Sequence, residues 1–171
     1  MGRLDGRVAI VTGAGDGIGR GVARRFAAEG AKLLIAEIDA AKGSAAADEV
    51  KRDFGAEALA VQTDAGDKRS VGAMVEAALS AWGTVDVLVN NAWGGGTLSR
   101  VEQKSDADLQ HGFGLGFYGP FWAMRAVFPI MKAKRRGTPR PTPPTRWATS
   151  ATPSATSHRW CCSCAATTRA T

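Results

Sequence analysis

The stretch Val8-Ala9-Ile10-Val11-Thr12-Gly13-Ala14-Gly15-Asp16-Gly17-Ile18-Gly19 reads as a strand, a tight glycine turn and the opening of a helix, with Val22, Ala23, Phe26 and Ala27 following at helical spacing. Residues without a Cβ let a backbone approach a pyrophosphate closely, and the N–H groups and dipole of the following helical turn face its charge. The stretch therefore implies a dinucleotide site. A glycine turn that merely joins a strand to a helix is the bland alternative, and the context argues against it. Glu37 ends the next apolar run, about 20 residues on, where an acidic side chain can bind a ribose. Three residues separate Gly13 from Gly17 and one separates Gly17 from Gly19, a spacing unlike that of the usual dinucleotide fold. The loop lacks a Gly-Lys-Ser/Thr ending, which argues against a nucleoside triphosphate.

Working outward, the pattern predicts strands over 7–11, 32–37, 56–62 and 85–89, and helices over 17–29, 40–53, 67–82 and 105–134. The strands are near-continuous apolar runs, as a parallel sheet covered on both faces requires. Gly30, Gly55 and Gly83 close the first three helices, and Ser105 with Asp108 forms a capping pair for the fourth. In that last helix Phe117, Phe121, Met124, Val127, Phe128 and Met131 make an apolar stripe, read as core or dimer seam. Gly112, Gly114, Gly116 and Gly119 weaken the helix by about 1 kcal/mol each relative to alanine, and Pro120 removes a hydrogen bond.

Thr12-Gly-x-x-x-Gly-x-Gly19, then Asp64 after the third run, then Asn90-Asn91-Ala92 after Asp86-Val-Leu-Val, resembles the short-chain dehydrogenase/reductase family, with every element in order over residues 5–134. The resemblance implies an incomplete doubly wound, Rossmann-like α/β sheet of strand order 3-2-1-4, with a dinucleotide-binding domain over 1–134. It implies a cofactor set of Thr12, Gly13, Gly15, Asp16, Gly17, Ile18, Gly19, Glu37, Asp64, Asn90, Asn91 and Ala92. The position of Asp64 meets the adenine ring in the family; a turn or helix-capping aspartate is the other reading. Asn90-Asn91-Ala92 steadies the sheet centre and lines the cleft, although Trp93 stands where glycine usually follows. NAD is expected over NADP, because Glu37 can accept from both ribose hydroxyls and repels a 2′-phosphate. Asp16 occupies the position where NADP-preferring members often carry a base, while Arg20, one turn on, is the counter-argument.

The family activity is hydride transfer between nicotinamide and a hydroxyl or carbonyl substrate, with a tyrosine moving the proton beside a lysine four residues on. The single tyrosine here, Tyr118, is followed at 122 by Trp, and Gly116 stands at the position of the family's catalytic asparagine. No catalytic residue is assigned. Two expectations follow: an NAD(P)-dependent short-chain oxidoreductase of unspecified small-molecule substrate, or a nucleotide-binding fragment without turnover. Intact members are usually homo-oligomers.

At 171 residues the chain suits one domain, and its 44% hydrophobic and 22% charged content is ordinary for a soluble protein. The net charge of +6 is not evenly spread: residues 132–171 hold eight Lys/Arg and no Asp/Glu. Residues 135–171 carry five of the seven prolines amid repeated Ala, Thr and Ser, so the tail is expected to be disordered. Its arginines are scattered, so nucleic-acid binding through Trp147 and Trp160 is not expected. Cys161, Cys162 and Cys164 with His158 do not give a paired zinc spacing, and no metal is expected. No signal-peptide core or membrane span is read, and a cytoplasmic location is expected. Read one base over, Trp160-Cys161-Cys162-Ser163-Cys164 becomes an apolar run and Ala165 to Thr171 allows Arg-Ser-Asp-Asp-Ser-Arg-Tyr, which resembles a segment near the family's C-terminus. The expectation is a chain truncated after about residue 135 whose tail is out of frame.

Overall fold

The computed structural model describes residues 2–94 and 99–134. In chain order these give β1 (Val8–Thr12), α1 (Gly17–Ala28), β2 (Lys32–Glu37), α2 (Ala40–Phe54), β3 (Ala58–Gln62), α3 (Lys68–Trp82), β4 (Val87–Val89), α4 (Asp106–Phe113) and α5 (Gly119–Ala133). The four strands form one parallel sheet in the order β3-β2-β1-β4, as the resemblance implies. β4 pairs with β1 alone among the described residues. The expectations for the tail (disorder, thiols without metal, shifted frame) fall on residues 135–171, outside the described residues.

Alternation along the central strands explains the layers. Ala9, Val11, Leu33 and Ile35 face α1 and α2, where they pack on Ala23, Ala27, Ala46, Ala47 and Val50. Ile10, Leu34 and Ala36 point the other way, onto Val71, Met74, Val75 and Ala78 of α3 and Ala123 and Val127 of α5. β1 is buried on both faces along its whole length, which is why its sequence is apolar without alternation. Truncating a side chain such as Leu34 would cost about 2–5 kcal/mol.

The helices start where short acidic side chains cap them. Asp39 Oδ1 accepts the N–H groups of Ala41 (3.0 Å) and Lys42 (3.1 Å) at α2, and Asp67 accepts those of Arg69 and Ser70 at α3. Each cap satisfies donors that a helix leaves orphaned. Buried Glu49 on α2 binds Arg20 and Arg24 of α1 and so ties the two helices on that face together. Asp86, buried before β4, accepts the Val8 N–H at 3.1 Å between the charges of Arg7 and Lys134.

The expected single helix over 105–134 is corrected. Its capping box is present, with Ser105 Oγ accepting the Asp108 N–H at 3.1 Å and Asp108 Oδ2 accepting the Ser105 N–H at 3.0 Å. The helix is then divided by a π-turn over Gly114–Tyr118. Pro120 has no N–H to give to the preceding turn, and a wider turn accommodates the gap. Gly119 fixes the position of the break, because a Cβ there would lie 2.1 Å from the Ala65 carbonyl oxygen. Of the apolar stripe, Val127 is buried and Met131 packs on the core, whereas Phe117, Phe121, Met124 and Phe128 are exposed.

Candidate functional site

The carboxyl ends of β1 and β4 are tied together by Thr12 and Asn91. Thr12 Oγ1 donates to the Val89 carbonyl (3.3 Å) and accepts the N–H groups of Asn91 and Ala92, both at 3.0 Å. Asn91 Nδ2 donates to the carbonyls of Thr12 (3.0 Å) and Gly13 (3.1 Å). These bonds set the path of the glycine loop. They also leave no room for side chains: a Cβ on Gly19 would fall 2.1 Å from the Gly13 oxygen and 2.5 Å from Asn91 Nδ2, and one on Gly13 would fall 2.8 Å from Ala92 Cα.

On the β2 side, Glu37 Oε2 accepts the Gly15 N–H at 3.0 Å and Oε1 accepts the Ile38 N–H at 2.9 Å. The carboxylate is thereby aimed at the loop. Asp16 Oδ1 accepts the Gly17 N–H at 2.7 Å, capping α1, and its Oδ2 lies 3.4 Å from Lys42 Nζ. The Gly17 N–H, followed by Lys42, holds the Asp16 carboxyl below the ordinary carboxylate range.

Between these walls lies a cleft of about 540 Å³, lined by Thr12, Gly13, Asp16, Gly17, Ile18, Ala36, Glu37, Ile38, Thr63, Ala65, Asn91, Ala92, Trp93 and Gly94. Its size is that of a small-molecule site. The lining fits a dinucleotide. Gly17 has φ +52°, and a Cβ there would meet nothing within 4 Å, so the loop leaves open space over the first turn of α1. A helix N-terminus with that space above it suits a pyrophosphate, and a carboxylate at the end of β2 suits a ribose.

Not every expected site residue reaches the cleft wall. Gly15 and Gly19 sit behind it as contact points for Glu37 and Gly13. Asn90 lines a small void with Leu115 and Pro120 instead. Asp64 is exposed, its Oδ1 accepting the Gly66 N–H at 2.8 Å in its own turn, while its neighbours Thr63 and Ala65 line the cleft.

Trp93, exposed, belongs both to this cleft and to a larger groove of about 1270 Å³ along Leu109, Phe113 and Phe117. Its ring lies over the π-turn: a Cβ on Gly116 would be 3.2 Å from Trp93 Cζ3. The two departures noted in the sequence, Trp93 and Gly116, are therefore in contact and complementary in volume. His111 Nε2 holds the same loop through the Gly94 carbonyl at 3.1 Å.

A family model described as short chain dehydrogenase matches residues 7–138. The chain belongs to the short-chain dehydrogenase family. It is 38% identical over 135 residues to galactitol 2-dehydrogenase of Agrobacterium fabrum, covering 79% of this chain and 51% of that protein. Among solved structures, L-sorbose reductase of Gluconobacter frateurii complexed with NADPH and L-sorbose matches with a TM-score of 0.74 at 34% identity, over 78% of this chain and 50% of that one. A short-chain dehydrogenase/reductase of Burkholderia phymatum in complex with NAD matches with a TM-score of 0.73 at 37% identity, over 80% and 48%. The chain thus spans about half the length of the relatives it matches.

In this short-chain dehydrogenase chain, Ile38, Thr63 and Ala65 were missed as lining residues; each adjoins an acidic residue at a strand's carboxyl end, which was the available signal. Lys42 was also missed, since nothing in sequence shows that its side chain reaches back to Asp16. Among the described residues no group of three His, Cys, Asp or Glu is placed to hold a metal ion. No helix among them is long and apolar enough to cross a membrane.

Proposed function

We propose that residues 1–134 form the dinucleotide-binding domain of an NAD-dependent short-chain oxidoreductase acting on a hydroxyl or carbonyl substrate. The observation that carries this reading is the Glu37 carboxylate, 3.0 Å from the Gly15 N–H, lining the same cleft as Gly17 and Ile18 of the first turn of α1. Held there, nicotinamide would supply or accept the hydride. The chain's own residues bind and orient: Asn91 and Thr12 keep the loop in shape, Gly13 and Gly17 admit the pyrophosphate, and Glu37 accepts from the ribose hydroxyls. Asp64 is assigned to the adenine ring, and Asn90 to the sheet centre.

NAD is preferred over NADP in this reading. A 2′-phosphate near Glu37 would face a second carboxylate on Asp16, and like charges at such range are unfavourable. Calorimetric titration of the full chain with both nucleotides tests it. NAD binding more tightly is the expected result; tighter NADP binding overturns the preference, and binding of neither overturns the assignment of the cleft.

Nucleotide binding without turnover is a second reading, favoured by Tyr118, which is followed at 122 by Trp and stacks on that ring at 5.9 Å. Loss of a general acid/base costs about 10² to 10⁴ in rate. Monitoring NADH with alcohols and carbonyls measures the difference, and turnover abolished by Tyr118→Phe would refute this second reading. Self-association is also proposed, since Phe113, Phe117, Phe121, Met124 and Phe128 expose an apolar face along α4 and α5; light scattering after gel filtration reports it.

A further inference from the structure

Two cations act on Asp16, a residue of the cleft lining, and they are committed differently. Arg20 Nε donates to Glu49 Oε2 at 2.6 Å, with its second nitrogen 2.5 Å from the same oxygen, and Glu49 is largely buried. Arg20 is thus fixed between α1 and α2. Lys42, in the first turn of α2, pairs only with Asp16 at 3.4 Å among the ion pairs of the described residues, and both side chains are more than half exposed. Such a pair is weak and exchanges partners readily.

The Lys42 stem is part of the site's frame. A Cβ on Gly15 would lie 2.7 Å from Glu37 Cγ and 2.9 Å from Lys42 Cβ, so the glycine loop, Glu37 and the base of Lys42 are stacked against one another. From that base the ammonium reaches to the loop at Asp16, a residue of the cleft lining. A lysine ammonium is a compact charge on a flexible stem, and a phosphate within its reach is a better partner than one carboxylate oxygen at 3.4 Å.

We propose that Lys42 is a specificity-determining residue, able to bind a phosphate on the adenosine ribose, with Asp16 as the competing partner that weakens that contact. On this view discrimination against the 2′-phosphorylated dinucleotide rests on the Asp16–Lys42 pair as well as on Glu37. The proposal rests on the reading of the cleft as a dinucleotide site. It goes beyond that reading in assigning the deciding cation to α2, outside the glycine motif.

The test is a double-mutant cycle on the full chain, titrating NAD and NADP into wild type, Asp16→Asn, Lys42→Met and the double variant. Asparagine still caps α1, and methionine keeps the stem, so each change removes a charge and little else. The ratio of NAD to NADP dissociation constants is the readout. Asp16→Asn should shift it toward NADP by about fivefold, the upper end for an exposed charge pair, and Lys42→Met in that background should cancel the shift. Added salt should shrink it. If the double variant keeps the full shift, loss of repulsion from Asp16 alone explains it and the proposal is overturned. An unchanged ratio in Asp16→Asn overturns it as well. NAD binding without a Lys42-dependent shift defeats this inference alone; failure of both nucleotides to bind wild type defeats the cleft assignment and this inference with it.

Discussion

Two stretches of this chain carry four glycines each, 13–19 and 112–119, and they use them for unrelated reasons. In the first, Gly13, Gly15 and Gly19 face walls of backbone or side chain at 2.8, 2.7 and 2.1 Å from where a Cβ would be. In the second, Gly112 and Gly114 face nothing within 4 Å, Gly116 meets only an indole, and Gly119 alone is pressed against backbone. Equal composition thus conceals one loop determined by its neighbours from several directions and one helix determined at a single point. The difference follows from position: the first stretch lies between two strand ends, the second along an outer helix.

The largest expected effect tests the first stretch at its tightest point. Gly19→Ala should lower stability by about 3 kcal/mol and abolish NADH binding, because the Gly13 carbonyl and Asn91 amide cannot both stay in place. Urea denaturation and nucleotide fluorescence measure the two losses. Asn91→Ala should cost about 2 kcal/mol, since two carbonyls lose their donor, with weakened nucleotide binding in the same assays. A near-neutral result would mean that the loop keeps its shape without β4.

Smaller effects probe the second stretch. Gly116→Asn should cost about 1 kcal/mol through overlap with Trp93, and the cost should vanish in a Trp93→Ala background; additive losses in that cycle would show the two positions to be independent. Gly112→Ala should stabilise by about 0.5–1 kcal/mol, opposite in sign to Gly19→Ala. A loss there would break the contrast between the stretches.

The smallest effect is acid-dependent. Exposed Asp16, half-buried Glu29 and exposed Asp53 and Glu57 are held below their ordinary values of 3.8 and 4.5 by the Gly17 and Arg3 N–H groups and by Arg24 and Lys32 respectively. A depressed carboxylate contributes stability that is fully present above its unfolded value and is lost as pH falls through its folded value. Thermal melts should therefore be flat from pH 7 to about 5 for these groups and decline below about pH 4. A decline already complete at pH 5 would contradict the depressed values.

Much of this was legible in sequence, for identifiable reasons. The strand order was legible through the resemblance to the family, and the cleft through the glycine stretch and through Glu37 at the end of the next apolar run, residues whose neighbours are also fixed. The break at Gly114–Tyr118 was not legible, because an apolar stripe keeps its appearance when one wide turn is inserted. The turn made by Asp64 was ambiguous, since an aspartate after a strand serves a ligand or its own backbone equally well. The reach of Lys42 depends on how far α2 leans over the loop, which no local pattern records.

The bonds between Thr12 and Asn91 also bear on the order in which the molecule is made. They join residues 79 apart in the chain, so the glycine loop is completed by a segment that is synthesised well after it. A nascent chain ending before Asn91 can form β1, β2 and β3 and bury their shared face, yet the Thr12 and Gly13 carbonyls then lack the amide that holds them. Closing so long a loop is slow relative to local helix formation. The ability to hold a nucleotide therefore emerges late in folding, and ligand present during refolding should act on the final step rather than on collapse.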